Sequence, residues 1–144
     1  MVPVPENKGR RRTKRGIATA LRLVALLVLA GTGVLGIYNY IAERSHVQTS
    51  LQSSVTYGVL LYGVLGLASA LGLIWHARWS LWTTMAWAVT CTYVAGTAVL
   101  AYGGADATRR SAVTAYVAAA VFTAAIVWAT RSVTRARNST SVVE

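Results

Sequence analysis

Side chains able to do chemistry are few in this chain and far apart. There is one cysteine, Cys91, two histidines, His46 and His76, and four carboxylates, Glu6, Glu43, Asp106 and Glu144. A lone thiol closes no internal disulfide and forms no dithiol redox pair, and two imidazoles cannot build a protein-only zinc site without carboxylate help. Haem held between two imidazoles needs both at similar depth. His46 and His76 flank an apolar block, so a membrane crossing there would put them on opposite sides. An enzymatic site would require Glu43, His46 and Asp106 to converge from two loops, and no spacing demands it. The expectation is no enzyme, no metal and no cofactor, with Cys91 a small packing residue.

Hydroxyls are the other candidate chemistry. Tyr62, Tyr93 and Tyr116 fall in three different apolar blocks, within five to nine residues of the same predicted end. Their phenols need partners below the headgroup level, and they either satisfy one another and nearby threonines or line a small cavity for an apolar ligand.

The elements that must position these groups follow from composition. The chain has 144 residues, 55% hydrophobic and only 12% charged, with 14 Lys and Arg against 4 Asp and Glu. Soluble domains carry roughly twice that share of charge. Four apolar blocks are each long enough to cross a hydrocarbon core of about 30 Å as a helix, at about 17–42, 55–75, 79–102 and 111–130. The predicted fold is all-α: a transmembrane domain over 17–130, four spans in an up-down-up-down antiparallel bundle, the short connections keeping successive helices side by side. Within the spans the only charge is Arg22, read as snorkelling to the headgroups. Ser53 and Ser54 are the expected cap of the second helix.

With both termini inside, eleven of the 14 Lys and Arg lie on the inner side, leaving Arg44, Arg109 and Arg110 outside. Positive charge is retained in the cytoplasm, so the predicted location is a bacterial-type inner (plasma) membrane with both termini cytoplasmic. Aromatics agree independently: Trp75, Trp79, Trp82 and Trp128 fall at the inner boundary, and Tyr38, Tyr40, Tyr57 and Tyr102 at the outer one. Residues 1–16 read as a disordered basic tail whose Arg10, Arg11, Arg12, Lys14 and Arg15 contact anionic lipid headgroups, and 131–144 as a second basic tail. Neither tail has the reading elements of a nucleic-acid binder, so no nucleic acid is expected.

In size the chain resembles the small multidrug resistance transporters, whose coupling depends on a glutamate in the first span. Leu21 to Leu35 offers only Arg22, Thr32 and apolar residues there, so the resemblance stops at size, and no coupling through an intramembrane carboxylate is expected. Gly72-x-x-x-His76 with Trp79 and Trp82 resembles the spacing in light-harvesting polypeptides, which would imply a pigment on His76. That histidine falls at a helix end, however, and four spans stand where those peptides have one.

Helix packing remains. Small residues let transmembrane helices approach closely. They recur at Thr84, Ala88, Thr92 and Gly96, at Ser111, Ala115, Ala119 and Thr123, and in the pairs Gly66 with Ala70 and Ala68 with Gly72. Gly96 is the expected point of closest backbone approach. It also lies in an echo, Ala30-Gly31-Thr32-Gly33-Val34-Leu35 against Ala95-Gly96-Thr97-Ala98-Val99-Leu100, which hints at hairpin duplication. The expected function is a small non-enzymatic accessory or scaffold subunit acting through helix packing and basic tails, with a larger membrane protein or a second copy as partner. The alternative is binding or facilitated passage of a small apolar molecule, of lipid, quinone or carotenoid type, through the Tyr-lined outer half.

Overall fold

A computed structural model of the chain describes residues 8–75, 77–103 and 108–138, with side chains described between Gly16 and Thr134 in those ranges. Among the described residues all regular structure is helical: α1 (Lys8–Glu43), α2 (Ser50–Ile74), α3 (Ser80–Tyr102) and α4 (Arg109–Asn138). Each contains a stretch long and apolar enough to cross a membrane. Large apolar side chains such as Leu27, Val89 and Val121 point outward, the arrangement expected where the solvent is lipid.

Several boundaries differ from the sequence reading. α1 begins at Lys8, so the segment read as a disordered tail is helical from there on. Lys and Arg are good helix formers, and a nucleated apolar helix extends into them with little penalty. α4 likewise runs on to Asn138. The second helix starts at Ser50, capped by Thr49 and not by Ser53 or Ser54: the Thr49 hydroxyl accepts from Gln52 N–H at 3.2 Å, and the Gln52 side chain accepts from Thr49 N–H at 3.2 Å. This reciprocal box satisfies two amides that would otherwise enter the membrane boundary unpaired.

α1 packs on α2, α2 on α3, α3 on α4, and α4 more sparsely on α1. Leu29, Gly33 and Gly36 of α1 meet Gly66, Leu67 and Gly63 of α2, while Gly58 and Gly72 of α2 meet Val94 and Ser80 of α3. The core has two parts. One joins all four helices through Ala25, Leu29, Ala70, Leu73, Trp87 and Ile126. The other, nearer the α2 N-terminus, is built from Val55, Val59 and Val94, with Tyr40, Tyr62, Ala98 and Ala101 against it, and among the described residues draws nothing from α4.

Among the described glycines, those that meet another helix's backbone most closely lie between α1 and α2, and Gly96 is not one of them. A Cβ on Gly36 would stand 2.8 Å from Gly63 Cα and 2.9 Å from Val59 O, and one on Gly66 would stand 2.8 Å from Leu29 O. At Gly96 the obstacle is a side chain, since a Cβ there would fall on the ring of Tyr116. Its echo partner Gly31 faces open space, so the two similar segments are packed differently.

Arg22 does more than reach for headgroups. Its Nη2 donates to the carbonyls of Leu73 at 2.9 Å and Ile74 at 3.4 Å, at the end of α2. α2 carries no basic residue in its own last turn, so a cation from α1 complements the negative end of its dipole and donates to its terminal carbonyls.

Candidate functional site

The hydroxyl-bearing side chains show what the bundle can offer a ligand or partner. Most buried hydroxyls are consumed within their own helix: Ser69 donates to Leu65 O at 2.7 Å, Thr84 to Ser80 O at 2.7 Å and Thr130 to Ile126 O at 3.0 Å. Such back-bonding lets a polar residue sit in an apolar core without an unsatisfied donor. Trp87 is the exception: it is 0% exposed at the centre of the four-helix core, and its Nε1–H has no partner among the described residues.

The three tyrosines have different surroundings. Tyr62 is half-buried and bridges the two core clusters beside Gly36. Tyr116 lies across Gly96 in the α3–α4 seam. Tyr93 faces outward, its hydroxyl 2.8 Å from Ser54 Oγ of α2. Around it a groove of about 420 Å³ runs between α2 and α3, lined by Ser54, Tyr57, Gly58, Leu61, Val89, Thr90 and Tyr93. Neither Tyr62 nor Tyr116 lines it. Elsewhere among these helices the Tyr57 ring packs 6.1 Å from that of Tyr40, and Tyr102 OH lies 3.4 Å from Thr56 Oγ1.

A second groove, of about 390 Å³, follows the α3–α4 seam and opens sideways. Ala88, Thr92, Ala120, Thr123 and Ala124 contribute, with Met85, Val89 and Val127 beside them. Thr92 and Thr123 lie 3.4 Å apart across the seam. Each donates to its own helix, to Ala88 O and Ala119 O at 2.8 Å, so the groove presents shape and small side chains but no spare hydroxyl donor. Val89 is the ridge common to both grooves.

The predicted packing residues divide between these features. Gly66 and Ala70 serve the α1–α2 seam and the core. Ala88 and Thr92 line the α3–α4 groove, Gly96 carries Tyr116, and Ala115 and Ala119 are half-buried on α4. Gly33, Gly36 and Gly63 were missed as packing residues. They alternate spacings of three and four, Leu29-Gly33-Gly36 against Val59-Gly63-Gly66-Ala70, and a search for every fourth residue passes over them.

Of the groups considered for catalysis, Glu43 and His46 are exposed, and His46 N–H donates to Glu43 O at 2.9 Å. Asp106 and His76 lie outside the described residues, as do the side chains of Arg10, Arg11, Arg12, Lys14 and Arg15. Among the described residues no three His, Cys, Asp or Glu side chains come together in a way that would hold a metal ion. Comparison with protein-family models, with curated proteins and with solved structures finds no match to this chain.

Proposed function

We propose that this chain is a non-enzymatic multi-pass protein of a bacterial-type inner membrane, an up-down-up-down bundle with both termini cytoplasmic. In this reading it serves as an accessory or scaffold subunit that docks a transmembrane helix of a larger membrane protein. The observation that carries the proposal is the α3–α4 groove, open to the bilayer and lined by Ala88, Ala120, Ala124 and two internally satisfied threonines. Lipid tails are as apolar as leucine, so helices associate in a membrane where small side chains let backbones approach, and this groove offers that surface. The charge asymmetry supports the orientation. The basic ends add an attraction to anionic headgroups of about 1 kcal/mol per residue near the surface.

Purification in mild detergent followed by native mass measurement tests this. A partner at fixed stoichiometry that is lost on Ala124→Trp, with the bundle still folded, is the expected result. A chain that purifies alone, or keeps its partner when the groove is filled, would refute it. Binding of a small apolar molecule is a second reading, favoured by the outward-facing Tyr93–Ser54 pair in the other groove.

A further inference from the structure

We propose that the α2–α3 groove is a site for one ester-linked glycerolipid, drawn from the leaflet at the α2 N-terminal end, whose ester carbonyl accepts a hydrogen bond from the Tyr93–Ser54 hydroxyl pair. The inference rests on the second reading above and names its ligand class. Two hydroxyls joined by one hydrogen bond use one of their two hydrogens, so the pair retains an O–H to donate. Of the other hydroxyl-bearing residues lining the groove, Thr90 donates to Ala86 O at 2.9 Å, and Tyr57 stands at the same end of α2 as Ser54. The groove therefore calls for a ligand with an acceptor oxygen at one end and hydrocarbon along the rest.

Depth identifies the acceptor. Ser54 stands four residues inside the start of α2, about 6 Å at 1.5 Å per residue, where a helix passes from the interface into hydrocarbon. Tyr93 belongs to a deeper turn of α3, yet its hydroxyl is drawn to Ser54, as expected of an aromatic residue whose polar tip seeks the interface. Glycerolipid esters sit at that level. From there the wall is apolar through Gly58, Leu61 and Val89, and Ser54 to Leu61 covers about 10 Å, most of one leaflet's hydrocarbon half. A volume of about 420 Å³ is at the small end of ligand pockets and suits one acyl chain. The α3–α4 groove, with both its threonines donating internally, lacks the donor and should show no preference for an ester.

The test compares lipids that differ only in the carbonyl. The full chain is held in nanodiscs of mixed diacyl and dialkyl phosphatidylglycerol with matched chains, and retained lipid is read by native mass spectrometry. Wild type should retain the diacyl lipid about fivefold over the dialkyl one, the size of one net hydrogen bond. Tyr93→Phe with Ser54→Ala should abolish the preference while lipid is still retained, and Leu61→Trp should release both lipids. Equal retention of the two lipids by wild type, or displacement of the diacyl lipid by an added prenylquinone, would overturn the ester assignment. If Leu61→Trp retains lipid as wild type does, the groove is not a binding site, and the reading beneath the inference fails with it.

Discussion

Replacing Arg22 by Met removes the guanidinium, with its bonds to Leu73 O and Ile74 O, and keeps a similar apolar stem. Hydrogen bonds to a charged group contribute about 1.5–3 kcal/mol net, and a cation at a helix C-terminus about 0.3–1 kcal/mol. The second bond is long and exposed, and water at the boundary can reach the freed carbonyls, so the lower part of that range applies. The expected loss is about 2 kcal/mol, measured by steric trapping or reversible denaturation in bicelles. Arg22→Lys should recover part of it, since a single ammonium reaches one carbonyl less rigidly than the planar fork does. Arg78→Met is the control: Arg78 is exposed in the α2–α3 turn, and its loss should stay within about 0.5 kcal/mol. If Arg22→Met and Arg78→Met cost the same small amount, Arg22 only snorkels, and the proposed tie between α1 and the end of α2 is wrong.

Gly36→Leu should destabilise the bundle most, by about 3 kcal/mol, because its new Cβ meets the backbone of α2 and only separation of the helices relieves the clash. Gly96→Leu should cost about 1–2 kcal/mol, since the obstacle is the Tyr116 ring, which can turn away; Gly31→Leu, facing open space, should be nearly neutral, and equal effects from all three in thermal melts would disprove the packing described. Orientation is checked by cysteine labelling in intact cells: Ser50→Cys should react with an impermeant reagent from outside and Ser139→Cys should not, and the reverse pattern would invert the topology.

The four-helix architecture could be read directly from the sequence, because each span is an apolar block bounded by polar or charged residues, and a bilayer leaves the backbone few choices but helix. The cap of α2 was also there to be read: Thr49-x-x-Gln52 is a capping-box pattern, obscured by its setting in a polar loop where Ser53 and Ser54 stood closer to the apolar run. What Arg22 bonds to could not be read, because its acceptors lie 51 and 52 residues away and are fixed only by how α1 and α2 align. The grooves were illegible for a related reason. Tyr62, Tyr93 and Tyr116 have similar depth in the sequence, but helix rotation decides which faces inward, and of the three it is Tyr93 that lines the α2–α3 groove. Small residues announced close packing without saying against what: Gly66 found a backbone, Gly96 a ring, and Ala88 the wall of an open groove.

The proposed role of the α3–α4 groove is tested most directly by photo-crosslinking in the native membrane. A photoreactive residue at Ala124, in that groove, is compared with one at Leu27, an exposed position of α1 outside it. A single protein adduct of defined mass from position 124, absent from position 27 and lost when Ala120→Trp fills the groove, is the predicted result. Lipid adducts alone at both positions, or the same protein adducts from both, would contradict it.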